Sequence, residues 1–449
     1  MRDVIAPDLC GLAPGTAGDS RRRRAAADTI AVRTEPIRRS AVPYEPRVCR
    51  AQARMLVRLV NLLSALLSPI LGKLFSFLEP YATGDGTMSL LLRGFAIRRR
   101  HASRLQQVAR AIHTGALRGK VVLVTGTGRG LGSGIASHLA AGGVQLILPQ
   151  RKGGDVPVLR QRLARMGTDA MRACAKDPHA VPQLAPSDID VRSPLCGLEM
   201  GSLASIDRFV DELASQGVLL DGLINNAGMV PITGGVTAEG FEPAFGINYL
   251  GTAHLTLELQ QRGLLKPDAT IVNVTSEEHR LASFASVLDA PLPSTQQAPS
   301  GAQLDAKGPH GKRRLGAQLG ALPVDASVFN AMERYAFSKL LLTTFSHELA
   351  RRVPCTIKDV CPGPVASEIA RDAPWPLGDL TLVGMWLTFP SPSDAALPIV
   401  ERLLGDKTAD VHYHMSEVRA AGSHAQDAAV GEWLWKQTAE LLRTRQPPG

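Results

Sequence analysis

The chain has 449 residues, of which 45% are hydrophobic, 20% charged and 4% aromatic; this is too long for one small domain and too apolar for a chain disordered throughout. The formal charge of +9 is unevenly placed: residues 1–119 hold 20 of the 50 basic and 8 of the 41 acidic side chains, leaving −3 on the remaining 330, so the bulk of the chain is not a polyanion-binding protein. Six cysteines with no CxxC pair and no His/Cys cluster at zinc spacing argue against a metal centre or a dense disulfide framework, and with no signal-peptide pattern the expected setting is reducing and not secreted.

In chain order, residues 1–54 mix Arg21, Arg22, Arg23 and Arg24 with Pro, Gly and Ala and show no apolar period; they are expected to be a disordered basic tail. A mitochondrial or plastid targeting segment is the alternative, with six acidic residues in that stretch against it. Residues 55–78 are nearly all apolar, with Arg58 and Lys73 the only charges. Their polar positions (Arg58, Asn61, Ser64, Ser68, Gly72, Ser76) recur close to the helical period, which favours a helix lying in a membrane interface over one that spans it. Arg50, Arg54 and Arg98–Arg100 flank the segment and suit an anionic surface. Packing on the domain or on a second subunit, with Pro69 as a kink, and a true span both stay open. The expected division is therefore 1–54 tail, 55–119 membrane-associated helix and basic helical linker, and 120–449 the main domain.

From Lys120 short β-rich runs alternate with helical stretches, the pattern of βαβ units around a parallel sheet. Strands are predicted at 121–125, 144–148, 219–225, 270–275 and 356–361. Residues 281–330, rich in Pro, Gly, Gln and Ala, interrupt the order as a long loop insertion.

The first strand runs directly into Gly126-Thr-Gly-Arg-Gly-Leu-Gly and then a helix. Such a turn lets backbone amides approach a pyrophosphate at a helix N-terminus, where the dipole favours negative charge. The strand before it and the helix after it supply the context a bare Gly-rich turn lacks. Further along, Tyr335 and Lys339 stand at i and i+4, one turn apart on a helix face. A nearby cation favours the phenolate and so lowers a tyrosine pKa from its usual ~10.

At Thr125-Gly126-x-x-x-Gly130-Leu131-Gly132, Asn225-Asn226-Ala227-Gly228 and Tyr335-x-x-x-Lys339 the sequence resembles the short-chain dehydrogenase/reductase family, over most of 120–449. The surroundings of Gly130-Leu131-Gly132, Asn248 and Ser338-Lys339-Leu340 are most similar to its retinol-dehydrogenase-like branch. The resemblance implies an α/β fold, a Rossmann-type doubly wound parallel sheet. It also implies hydride transfer between a nicotinamide and a substrate carbon, with Tyr335 as general acid or base, Ser276 on the substrate oxygen, Lys339 lowering the tyrosine pKa and holding the ribose, and Asn248 holding a water of the proton relay.

By the same resemblance Thr125, Gly126, Arg129, Gly130, Leu131 and Gly132 would cradle the coenzyme. Asn226, Ala227 and Gly228 would close its adenine side, and Pro362, Gly363, Val365 and Ser367 would hold its carboxamide, Ser367 standing where the family has Thr. Glu199 occupies the position of an adenine-contacting Asp, which leaves that contact open. After the second strand, where NAD-specific members carry an acid, this chain has Leu148-Pro149-Gln150-Arg151; Arg151 with Arg129 suits a 2′-phosphate, so the expected coenzyme is NADP(H).

Ser276 and Tyr335 lie 59 residues apart, because the insertion falls between them, and it is either a lid or substrate wall or a bulge without a role. Trp375, Leu377, Leu380, Leu382, Val383, Met385, Trp386 and Phe389 fall in the family's lid region. They suit a lipophilic substrate or core packing equally. The expected setting is a membrane surface on the cytoplasmic side, such as the endoplasmic reticulum or a lipid droplet, with no nucleic-acid partner and a homodimer formed through helices. A non-catalytic NADP-binding scaffold or sensor is the rival. Trp433, Trp435, His412 and His414 are assigned to packing or chance.

Overall fold

The protein is described by a computed structural model over residues 100–151, 155–194, 196–231, 235–282, 331–366, 389–405 and 408–445. The expected tail at 1–54, the apolar segment at 55–78, nearly all of the 281–330 insertion, Ser367 and the apolar run from Trp375 to Trp386 lie outside these residues.

The described strands are β1 (Val121–Val124), β2 (Gln145–Ile147), β3 (Val191–Arg192), β4 (Leu220–Asn225), β5 (Leu265–Val274), β6 (Thr356–Cys361), β7 (His412–His414) and β8 (Glu417–Val418). They form one sheet in the order β3-β2-β1-β4-β5-β6-β7-β8, parallel throughout except for β8, which returns antiparallel along β7. The reversal of strand order beside β1 opens a crevice at the strand ends. The helices are α1 (Ala102–His113), α2 (Gly130–Ala141), α3 (Val156–Cys174), α4 (Leu203–Ser215), α5 (Gly251–Gln261), α6 (Ala331–Arg352), α7 (Pro392–Glu401), α8 (Ser423–Gln426) and α9 (Ala428–Arg445). Their starts are written locally. Asp155 accepts from Val158 N at the head of α3, Ser202 from Ser205 N at α4, and Ser391 from Asp394 N at α7, each satisfying a backbone amide that the first turn leaves over.

Both faces of the sheet are covered, so its strands are apolar on both sides and their residues alternate between two cores. Leu123, Leu223 and Ile271 join Phe209, Phe245, Tyr249, Phe345 and Leu349 on the face of α4, α5, α6 and α9. Their neighbours Val122, Val124, Ile224 and Val272 join Ile135, Leu139, Leu163 and Ile399 on the face of α1, α2, α3 and α7. Each fully buried side chain of this size contributes ~1.5–3 kcal/mol through the water it sheds.

Helix α1 belongs to this second core. Leu105, Val108, Ala109 and Ile112 are buried in it, so the stretch expected to be linker carries a packed helix. It is pinned by an imidazole pair: His113 Nε2 and His138 Nδ1 are 2.9 Å apart with rings stacked at 5.1 Å, and His138 Nε2 lies 3.0 Å from the Ser393 carbonyl on α7. A proton on His138 Nε2 serves Ser393 and leaves Nδ1 to accept from His113, so both rings are neutral. Burial holds both pKa values down to about 4.

Both groups take up protons in the unfolded chain before they do in the folded one. Stability is therefore expected to fall as pH drops from about 6.5 to 4, by at most ~1.4 kcal/mol per pH unit for each imidazole. Urea unfolding of wild type and His113→Phe across that range should show a shallower slope in the variant.

Candidate active site

The predicted coenzyme loop forms where β1 ends. Gly126 and Gly130 have φ of +70° and +54°, values open to glycine at little cost. A Cβ on Gly132 would stand 2.2 Å from Gly126 O and 2.5 Å from Asn226 Nδ2, so the start of α2 sits directly against the turn. The loop is laced to the end of β4: Thr125 Oγ1 accepts from the amides of Asn226 and Ala227 at 3.1 and 3.0 Å, and Asn226 Nδ2 donates to the carbonyls of Thr125 and Gly126 at 2.9 and 3.1 Å. Thr125 and Asn226 thus shape the loop from behind. No side chain caps the α2 N-terminus, where Arg129 is the N-cap residue, and a Cβ on Gly128 would meet open space. A helix start left uncapped beside a glycine cradle fits a pyrophosphate.

A brace that local sequence does not announce completes the loop. Arg162 on α3 donates to the carbonyls of Gly128 and Thr127 at 3.1 and 3.0 Å, joining residues 34 and 35 apart. The sequence reading missed it because nothing in the helix pattern marks one arginine among several. Arg129, Leu131 and Gly130 lie on the accessible side of the turn. Arg151 is exposed beyond β2, with Nε 3.4 Å from Glu199 Oε2. The acid at the adenine position is therefore paired with the arginine expected to meet a 2′-phosphate, a solvent-exposed pair of small net strength.

The side chains predicted to handle a proton gather at the ends of β4, β5 and β6. Asn248 is fully buried on a π-helical turn, Ala244–Leu250, that leads into α5. Its Oδ1 accepts from Met229 N at 2.8 Å, and its Nδ2 donates to Met229 O at 2.9 Å and Ser338 Oγ at 3.0 Å. Ser276 follows β5 and caps the 3-10 turn Glu277–Leu281. Tyr335 and Lys339 share one face of α6, and Ser276 lies beside the Tyr335 phenol, where it favours the phenolate. Lys339 is 4% exposed, donates to Val274 O at 2.8 Å and stands 5.6 Å from the centre of the Tyr335 ring. Gly228 closes this end, where a Cβ would be 3.3 Å from Asn248 Oδ1 and 3.6 Å from Lys339 Nζ. Pro362, Gly363 and Val365 follow β6 on the same edge, and Gly363 has φ +73°.

Here the electrostatics correct the expectation of a depressed phenol. Burial pushes the Tyr335 hydroxyl above its ordinary range, Cys361 and Glu278 push the same way, and only the neighbouring Ser276 opposes them. Lys339 is itself lowered to about 8 by burial, against the pull of Asp359 and Cys361. Its ammonium stands 5.6 Å from the centre of the ring and is tied to the Val274 carbonyl. The strand His412–His414 is a second correction. Both imidazoles are buried and ion-paired with Glu277, the residue after Ser276, and are not incidental packing. Trp435 does pack, stacked on Phe345 at 5.9 Å.

No metal is expected from the sequence; among the described residues Asp207, His254 and Glu258, on α4 and α5, bring potential ligand atoms within 4.8 Å of one another. No helix among the described residues is long and apolar enough to cross a membrane.

No family model matches the chain. Among curated proteins it is similar to retinol dehydrogenase 13 of Homo sapiens, 26% identical over 343 residues covering 73% of this chain and 86% of that one. It is also similar to retinol dehydrogenase 14 of Homo sapiens, 29% identical over 67% of this chain and 79% of that one, and to polyprenol dehydrogenase of Mus musculus, 28% identical over 72% and 84%.

Because the α2 start lies against Gly126 O, Gly132→Ala is expected to open the cradle and weaken dinucleotide binding by about tenfold or more, ~1.4 kcal/mol. Calorimetric titration with NADPH checks this.

Proposed function

We propose that the chain, similar to retinol and polyprenol dehydrogenases, is an oxidoreductase of the short-chain dehydrogenase/reductase family, retinol-dehydrogenase-like branch, that interconverts an alcohol and a carbonyl on a lipophilic substrate with NADP(H). The observation that carries the proposal is the gathering of Ser276 beside the Tyr335 phenol, with the Lys339 ammonium 5.6 Å from the centre of its ring. A carbonyl oxygen placed between the two hydroxyls would receive hydrogen bonds from both, and the phenol holds the proton that the oxygen needs as it becomes an alcohol. The bound coenzyme supplies the hydride.

Each remaining residue has a job this chain can perform. Ser276 orients and stabilises the oxygen, Lys339 carries charge beside the phenol and would reach a ribose, and Asn248 fixes the Met229 backbone beside them. The preference for NADP(H) is supported by the absence of an acid from Leu148 to Arg151 and by exposed Arg151 and Arg129, whose guanidinium groups match a phosphate. Substrate class is supported by the relatives named for retinol and polyprenol, both long isoprenoid alcohols, and by the apolar sequence from Trp375 onward. We further propose that residues 55–78 bring the enzyme to a membrane surface where such substrates reside.

NADPH absorbance against retinoid, steroid and fatty carbonyls tests the reading. Tyr335→Phe is expected to lower turnover by at least ~10²-fold while NADPH still binds. Turnover limited to small polar sugars would refute the substrate class, and coenzyme binding without any turnover would favour a non-catalytic sensor. Arg151→Gln is expected to raise the KM for NADPH about tenfold and leave that for NADH nearly unchanged, worth ~1.4 kcal/mol of phosphate recognition.

A further inference from the structure

Directly after Ser276 the chain turns its next carboxylate back into the protein. Glu277 is 3% exposed, and its two oxygens are gripped from three separate stretches of chain. Oε1 lies 2.8 Å from His412 Nε2 and 3.4 Å from His414 Nδ1. Oε2 accepts from Arg280 Nε at 2.7 Å and from Arg419. His412 and His414 project from the same face of β7 because they are two residues apart on a strand, and Tyr413 between them faces the opposite core. His412 Nδ1 also stands 3.1 Å from Asp359 Oδ1 on β6, and Asp359 takes the Thr275 hydroxyl. Glu277 is thus the centre of a buried cluster next to the serine.

His279 provides a second tie on the same turn. Its Nε2 accepts from Gly422 N at 2.9 Å, and its Nδ1 lies 2.7 Å from Ser276 O. A nitrogen that accepts from an amide carries no proton, so this ring is neutral and donates through Nδ1 to the serine carbonyl. Burial and the charge of His412 hold its pKa down to about 4. The pair on β7 behaves oppositely. Burial disfavours their charge, but Asp359 and Glu277 outweigh it at His412, and Cys361 and Glu277 at His414, raising each to about 9. With Arg280 and Arg419, four cations then surround two carboxylates.

We propose that Glu277 is a positioning residue for Ser276 and Tyr335, fastening the serine turn to the imidazole face of β7. Resting on the reaction proposed above, this gives the turn a dependence on strand β7 that the reacting groups alone do not require. The groups facing the two imidazoles are Glu277, Asp359, Cys361, His279, His347 and Arg419. Of these, His279 already stays neutral through the range in which the pair loses its protons. As pH rises through about 9 the imidazoles become neutral, Glu277 loses charge partners and the serine turn loosens.

The test uses the full chain with ¹³Cζ-labelled tyrosine, whose five signals are few enough for Tyr335→Phe to identify that of Tyr335. Glu277→Gln is expected to lower kcat about ten- to a hundredfold, with the KM for NADPH within about twofold, to displace the alkaline limb of the kcat profile near pH 9, and to shift the Tyr335 resonance. A folded Glu277→Gln with wild-type kcat and an unmoved Tyr335 signal would overturn the proposal. If Glu277→Gln fails to fold, His414→Gln leaves His412, Arg280 and Arg419 on the carboxylate; it should displace the same limb and signal, and no displacement of either would overturn it. Should wild type turn over none of the carbonyls, the proposed reaction fails, and the Tyr335 signal decides this proposal alone: a shift in either variant sustains it, and its absence overturns it.

Discussion

A buried amide ladder fixes the register of β4, β5 and α6, the elements that carry or adjoin the proposed catalytic residues. Asn225 at the end of β4 donates to Asn273 on β5 at 2.8 Å and to Thr256 on α5 at 3.0 Å, and Asn273 donates onward to Ser346 on α6 at 2.8 Å. Asn273 and Ser346 are fully buried. In a sheet apolar on both faces, sliding β4 against β5 would cost little in transfer free energy, because one branched aliphatic replaces another. It would leave buried amides without partners, at ~1–3 kcal/mol each. The polar ladder therefore specifies the register Asn225↔Asn273, and through Ser346 it seats α6 two turns beyond Lys339. Asn273, three residues before Ser276, thus helps to select the alignment that brings Ser276 and Tyr335 together.

The two ends of the crevice are built on different electrostatic principles. On the adenine side the charges are accessible: Arg129 and Arg151 are exposed, and Arg151 holds the half-buried Glu199 weakly. Such groups can exchange partners with a ligand at small cost, which suits recognition of a phosphate. On the catalytic side Glu277, Asp359, Lys339, His412 and His414 are buried, and their partners are supplied in the fold. There a lost partner leaves a desolvated charge uncompensated. The binding end can therefore tolerate exchange of its charges, and the reacting end cannot.

How much of this could be seen in the sequence follows the range of the interactions. The strands at 121–125, 219–225 and 356–361, the glycine turn and the Tyr335–Lys339 spacing are local periodicities, and the structure places strands and a helix there within a residue or two at most ends. β3 and β8 have two residues each and β7 three, too short to show a period. Arg162 under the glycine turn, and Glu277 with partners 135 and 142 residues away, are pairings across the fold, and nothing near them in sequence differs from an ordinary surface charge. Helix α1 went unrecognised as part of the core because its arginines and its place after a basic run match a linker, while Leu105, Val108 and Ile112 carry the contrary signal at helical spacing. Direction of the tyrosine shift failed for another reason. Spacing on a helix says that a cation is near, and only burial depth and the cation's own hydrogen bonds say whether it outweighs desolvation.

That outcome bears on how the proposed reaction would be poised. With the phenol held in its acid form by burial, Cys361 and Glu278, the chain by itself presents a proton donor to a carbonyl oxygen, which is what reduction requires. Oxidation requires the phenolate, and the forces to form it must come from elsewhere than the free site: a tighter approach of Lys339, whose own proton is already loosened to about 8, or the charge of an oxidised nicotinamide. The geometry of the two hydroxyls is indifferent to direction. The desolvation around them is not, and it inclines the free enzyme toward delivering a proton.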